Sequence, residues 1–429
     1  MKKKYRIILY TSIFLLCVVA SIILVVKKSN SVYEEESKPK VVKHKSMLSM
    51  NLEQTAGAGD YKTVTQSSWP TEGYKFNAEL SRCENGSTLS WDDTKKAVIV
   101  SGNLSDKCYV YFDIYQPTLA EYIKSQYTGT QGENNIYYHD SDLANGAGDN
   151  SYRYAGANPN NFVCFGSDTS PCPTDNLYRI IGVFGENYHG VTGKQLVKLI
   201  KYDYMTTDEL GTDGDYSQTY KEWGMDSTYK GTYGDGERIG VYYWNYKATG
   251  SATNTWSTSL LNKTNLNTNF INNIGTTWAN KIATVTWKVG GNTYANISDV
   301  VPATTYQNEI VNPVTTNTTD NATTYSAKIG LMYVSDYGFA ASPDAWTLTM
   351  SSYNNTTATN NNWMYMGLYE WTISRCADYS YRAFSVDSDG FVDNNSVDNY
   401  IGVRASFSLE SSVSYVSGSG SMSDPIVIN

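Results

Sequence analysis

Apolar and polar positions alternate with a period of two through Cys108-Tyr109-Val110-Tyr111-Phe112, the pattern of a half-buried strand. Two short runs precede it, Ser87-Thr88-Leu89-Ser90-Trp91 and Ala97-Val98-Ile99-Val100, separated by Asp92-Asp93. Asn85-Gly86 marks a turn. Residues 66–116 therefore read as a small β domain, too short to build a large core unaided. Pro117 can then open a helix at its first position, and Leu119, Tyr122, Ile123 and Tyr127 follow at helical spacing.

The remaining chain, 117–429, reads as one long region. Residues 176–184 and 195–202 are β-rich and joined by a turn at 185–193. Residues 256–274 carry Trp256, Leu260, Leu261, Leu266, Phe270, Ile271 and Ile274, compatible with one or two short helices. Residues 282–289 return to β. The stretch 289–327 has no Lys or Arg, and its Thr/Asn-rich part, 314–324, is expected to be a solvated loop, as is 352–362. Alternation resumes at 382–386, 391–392 and 403–409. No internal repeat is evident.

One stretch breaks these patterns. From Ile7 to Val26 the chain is apolar without a charge, and as a helix it would span roughly 30 Å, the thickness of a bilayer core. Lys2, Lys3, Lys4 and Arg6 precede it. A cleaved signal is usually shorter and ends in small residues. The expectation is an uncleaved signal-anchor, with a removed signal as the alternative. The implied layout is a cytoplasmic tail at 1–6, a transmembrane helix at 7–26, a stalk at 27–65 too polar to pack, the small β domain, and the long region outside a lipid bilayer.

Composition narrows the class. After residue 45 there are 23 basic and 39 acidic residues, a net charge near −16, which repels nucleic acid and anionic lipid. Of six cysteines, Cys17 lies in the apolar run. Cys83 with Cys108, and Cys164 with Cys172, bracket hairpin- and turn-like segments, and two such disulfides suggest an oxidising exterior. Loop closure would make them worth about 3.5 and about 2.6 kcal/mol. The alternative is reduced, buried thiols. Cys376 is left over.

Several segments in order, within 150–415, resemble domains of unknown function on surface proteins of gut Firmicutes and related bacteria. They are Asn176-Leu-Tyr-Arg-Ile-Ile-Gly-Val-Phe184, the run opening at Trp256, the run from Lys328 to Ala340, Trp371-Thr-Ile-Ser-Arg375, Arg382-Ala-Phe384, Asp389-Gly390 and Ile401-Gly-Val-Arg404. Those domains are similar to the C-type-lectin-like fold of formylglycine-generating enzymes and retroelement-diversified binding proteins. The resemblance implies an α+β chain with a C-terminal C-type-lectin-like domain. In it Trp371, Gly402 and Arg404 would be scaffold, and 375–400 a display surface. Tyr379, Tyr381, Asn394, Asn395, Asn399 and Tyr400 are then the candidate ligand contacts, because Tyr offers area at low entropic cost and Asn offers adaptable hydrogen bonds. Trp363, Tyr365, Tyr369 and Trp371 read as core before sugar platform.

Catalytic signatures are sparse. The oxidases of the resembling fold use a cysteine pair near the Gly-x-Arg segment, and here Cys376 stands alone. With only His44, His139 and His189, a histidine triad has little material. Asp336 and Glu370 could in principle serve as a glycosidase pair. Asp387-Ser-Asp389-Gly390 lacks the further ligands of an EF-hand and reads as a hairpin tip. No cofactor is expected, with room left for a structural calcium. The expected function is non-catalytic binding of a glycan, peptide or host protein at the cell surface. The rivals are a structural envelope protein and a divergent hydrolase or oxidase.

Overall fold

Strands dominate the computed structural model, which describes residues 48–65, 68–70, 73–103, 105–220, 229–234, 238–313, 322–354 and 356–429. Strand accounts for 32% of the described residues and helix for 20%, so the fold is mostly β. This corrects the expectation of an α+β chain that opens with a membrane-spanning helix. Among the described residues no helix is long and apolar enough to cross a membrane, and the run from Ile7 to Val26 lies outside them. The chain divides between Gln116 and Pro117 into two units.

In the first unit the strand Leu48–Glu53 lies in the sheet between Tyr61–Val64 and Cys108–Ile114. Its pairing with Cys108–Ile114 is parallel, Met50 opposite Val110 and Leu52 opposite Phe112. Residues 48–64 therefore belong to the packed unit and not to a stalk. Leu48, Met50 and Leu52 alternate with polar neighbours and meet their partner strand far along the chain, and an average over the polar segment hides that period. Glu53, 2% exposed, is held by the backbone N–H groups of Gly59 and Ile114, each at 3.0 Å. Tyr74–Phe76 and Arg82–Cys83 both pair with Cys108–Ile114, and the disulfide joins the directly opposed Cys83 and Cys108. Met50, Leu52, Val98, Val110 and Phe112 form the core.

The second unit opens with the helix Leu119–Ser125. Thr118 caps it, in a reciprocal pair of hydrogen bonds with Glu121, so Pro117 stands before the cap and not at the first helical position. One antiparallel sheet runs in the order Ile329–Gly330, Ser406–Ser408, Leu196–Lys201, Leu177–Phe184, Ser151–Tyr154, Ile136–His139, with Phe162–Cys164 also on Leu177–Phe184. A second sheet, mixed because Tyr400–Gly402 pairs parallel with Glu370–Arg375, runs Tyr216–Thr219, Gly240–Tyr243, Tyr400–Gly402, Glu370–Arg375, Arg382–Val386, Val392–Ser396. All residues of Leu177–Phe184, Leu196–Lys201 and Glu370–Arg375 are buried, which explains the largely apolar sequences of the first two, whereas in the third Trp371 and Ile373 alternate with buried polar residues. Residues of both sheets, among them Ile180, Leu199, Phe407, Trp371, Ile373 and Phe384, share one hydrophobic core. The second disulfide, Cys164–Cys172, closes the turn beside Phe162–Cys164.

Residues 256–274 are helical as expected, with a π-helical stretch at Leu261–Phe270. The cation-free stretch holds more structure than its composition suggests: Tyr294–Ile297, Pro302–Tyr306 and Gln307–Val311 are helical, and Tyr306 and Glu309 are buried. Residues 314–321 of the expected solvated loop lie outside the described residues. The second expected loop contains the short helix Thr356–Asn360 and the buried Asn362, whose side chain donates to the Tyr337 carbonyl at 2.9 Å.

Candidate ligand-binding surface

The strands Glu370–Arg375 and Arg382–Val386 are antiparallel neighbours, and the chain between them forms a loop at one end of the six-stranded sheet. A buried side chain fixes this loop from beneath. Asn254, 1% exposed, donates from Nδ2 to the carbonyls of Cys376, Tyr379 and Arg382 at 2.9, 2.9 and 2.8 Å. Its own backbone N–H donates to the Ser380 carbonyl at 2.6 Å. The Ala377 N–H reaches the Asn292 carbonyl at 3.0 Å, and the Tyr294 N–H reaches Asp378 Oδ1 at 2.8 Å. With its backbone thus occupied, the loop turns Tyr379 and Tyr381 outward, at 39% and 43% exposure, next to Tyr294 at 47%.

These three rings form a run. Tyr294 meets Tyr379 edge-to-face at 5.6 Å, and Tyr379 meets Tyr381 at 5.9 Å in the same manner. The Arg382 guanidinium lies 5.6 Å from the Tyr381 ring centre, and its Nη1 donates to Asn394 Oδ1 at 2.7 Å. Edge-to-face packing holds each ring in place while leaving exposed ring surface for a partner. A second aromatic group adjoins through the backbone. Val397 N–H donates to the Tyr381 carbonyl at 2.9 Å and Asn245 N–H to the Val397 carbonyl at 3.1 Å. Beside Asn245, Tyr246 stacks on Tyr243 at 4.6 Å, and Tyr243 meets the edge of Tyr400 at 5.8 Å.

The expected contact residues divide under this geometry. Tyr379, Tyr381 and Tyr400 belong to the aromatic surface. Asn394 is 4% exposed, with its side chain between Arg382 and Asp393, so it is structural and not displayed. Asn395 donates to Ser385 Oγ at 2.8 Å and accepts from Asn399 at 3.0 Å, so both amides are already engaged, although Asn399 is exposed. Sequence reasoning missed Asn254, Tyr294, Tyr243 and Tyr246. No local signal marks them, because Asn254 and Tyr294 meet the loop, and Tyr243 with Tyr246 meets Tyr400, from segments far away along the chain.

The scaffold residues sit in the interior. Trp371 donates from Nε1 to the Tyr242 carbonyl at 2.9 Å. A Cβ on Gly402 would lie 2.6 Å from the Tyr204 ring, a close approach that only glycine permits. Arg404 forks Glu370, Nε to Oε1 and Nη2 to Oε2 both at 2.8 Å, and also donates to the Met364 carbonyl at 2.7 Å. Trp363 and Tyr365 are buried. Asp387-Ser388-Asp389-Gly390 is a turn: Gly390 N–H donates to the Asp387 carbonyl at 2.9 Å, and Gly390 has φ 96°. Among the described residues no three His, Cys, Asp or Glu side chains gather to hold a metal ion.

The groups suggested for chemistry are engaged elsewhere. Glu370 is committed to Arg404, and Asp336 to Lys198 at 2.6 Å. Cys376 is buried and unpaired with another cysteine, and its Sγ donates to Asp378 Oδ1 at 3.0 Å. Burial, with the neighbouring Asp378, pushes the thiol up to about 12, away from the reactive thiolate.

No protein-family model matches the sequence, and neither a characterised protein nor a solved structure is significantly similar to it.

Proposed function

We propose that the 117–429 unit is a non-catalytic recognition module on a C-type-lectin-like frame, working in an oxidising compartment outside the cytoplasm. Its ligand is a glycan, peptide or host protein, received on Tyr294, Tyr379 and Tyr381 with Tyr243, Tyr246 and Tyr400 alongside. One observation carries this reading: three half-exposed tyrosines stand in an edge-to-face run on a loop whose backbone is tied down by buried Asn254. A rigid loop that presents aromatic rings loses little entropy when a partner settles on it. The two disulfides support the compartment.

The test is to present the full chain to glycan and peptide arrays beside a Tyr379→Ala/Tyr381→Ala variant. Retention of a ligand class by the wild type, weakened at least roughly tenfold in the variant, is expected. A retained ligand indifferent to both substitutions, or turnover of a substrate in place of retention, overturns the reading.

A further inference from the structure

A cluster of charges lies in the core of the second unit, apart from the tyrosine surface. Lys198, on the strand Leu196–Lys201, places Nζ 2.6 Å from Asp336 Oδ2, on the helix Val334–Ala340. The two side chains are 1% and 0% exposed. We propose that Lys198 and Asp336 condense into an isopeptide bond, a covalent amide that joins this strand to this helix.

The surroundings suit that reaction at each reacting atom. Lys198 Nζ faces the rings of Tyr333, Tyr188 and Trp287 at 4.2, 4.9 and 4.9 Å and donates to the Tyr188 hydroxyl at 3.0 Å, so that no water is needed to hold it against Asp336. Burial lowers the lysine pKa, against the opposing pull of Asp336, and so favours the nucleophilic amine. On the carboxyl group, Oδ1 accepts from the Tyr188 hydroxyl. Arg153 Nη1 stands 3.9 Å from the same oxygen, fully buried and without a hydrogen-bond partner. The Tyr188 hydrogen bond and the nearby Arg153 charge both stand where negative charge would gather in a tetrahedral intermediate. Oδ2, the oxygen nearest the amine, accepts from the Tyr333 N–H at 2.9 Å.

The ion pair already holds every atom required. One ammonium proton first passes from Nζ to Oδ2, and the free amine then attacks Cγ of Asp336 to form the C–N bond. A second proton follows from nitrogen to Oδ2, the Cγ–Oδ2 bond breaks, and one water leaves. The third proton stays on the amide nitrogen. No oxidant, reductant or further reagent enters.

Charge accounting favours the product. Arg153 is satisfied by Asp149, Nη2 to Oδ2 at 2.8 Å. Glu309, held by the N–H groups of Val334 and Ser335 and by the Ser374 hydroxyl, is driven up to about 7 by burial and is neutral below that. That leaves Lys198 and Asp336 as two desolvated charges facing each other. Their amide removes both from a medium that solvates ions poorly.

Mass spectrometry decides the matter. The full chain, with its disulfides reduced, is expected to weigh one water less than its sequence. Lys198→Met and Asp336→Ala variants should show their full calculated masses. Peptide mapping of the wild type should recover a branched peptide that joins the segments carrying Lys198 and Asp336, separated by 138 positions. A wild-type mass equal to the sequence mass overturns the proposal. So does a water loss that maps elsewhere, for instance to a cyclised Asp389-Gly390.

Discussion

Arg404 and Glu370 face each other as two parallel hydrogen bonds of 2.8 Å, with side-chain exposures of 0% and 3%. Arg404 lies on the segment that leaves the six-stranded sheet at Gly402 and enters the seven-stranded sheet at Ser406, so the pair ties the crossing between them. Breaking such a pair strands one charge in the core, which costs about 3–5 kcal/mol. Glu370→Ala and Arg404→Ala should each lower the free energy of unfolding by that much. The double substitution should cost less than the sum of the two, which a double-mutant cycle in urea would show.

The buried acid and the buried histidine give opposite pH slopes. Glu309 sits at about 7 in the folded protein against 4.5 ordinarily, raised first by burial. Its contribution is complete below 4.5 and is lost as pH rises through about 7, on the order of 3 kcal/mol in all. His139, fully buried with its titration pushed well below 6.5, is carried neutral, so its contribution is present above 6.5 and falls in more acid solution. Melting temperatures between pH 5 and 8 should therefore decline less for Glu309→Gln than for the wild type as pH rises. A wild-type decline matching that of Glu309→Gln would refute the assignment.

Cys376 should be silent in the native state. With the thiol raised to about 12 and buried, an alkylating reagent at pH 8 is expected to leave Cys376 unmodified over hours, and to modify it once denaturant is added without reductant, as peptide mapping would show. Rapid native labelling would mean the loop at 376–381 opens.

Asn254 is the residue on which the tyrosine surface rests. Asn254→Ala removes the donor shared by three carbonyls and should cost about 1–3 kcal/mol, concentrated locally. Hydrogen exchange should speed up at 376–382 while Leu177–Phe184 keeps its protection. Any ligand of the surface should bind more weakly even though no tyrosine has changed.

The parts of this molecule legible in its sequence are those whose cause is local. Cys83 and Cys108 bracket a hairpin and are bonded, and the run from Leu177 to Phe184 is apolar because both faces are covered. Leu48–Glu53 was hidden because its partner lies about sixty positions on, and polar neighbours dilute its alternation. Glu309 sits in a stretch whose composition reads as loop; its burial depends on amides of Val334 and Ser335 that arrive from elsewhere in the chain. The same holds at the surface. Tyr379 and Tyr381 were visible as tyrosines in a loop, whereas Asn254 and Tyr294 acquire their roles only when distant segments meet. Asn394 shows the converse: a residue type suited to display, turned inward by Arg382.

The parallel placement of Leu48–Glu53 beside Cys108–Ile114 has a practical corollary for anyone trimming the gene. A fragment begun at residue 66 would discard an inner strand of the first sheet, uncover Val110 and Phe112, and leave a row of amides open to any passing chain. Such a truncation should precipitate on expression, whereas one begun a few residues before Leu48 keeps that flank closed.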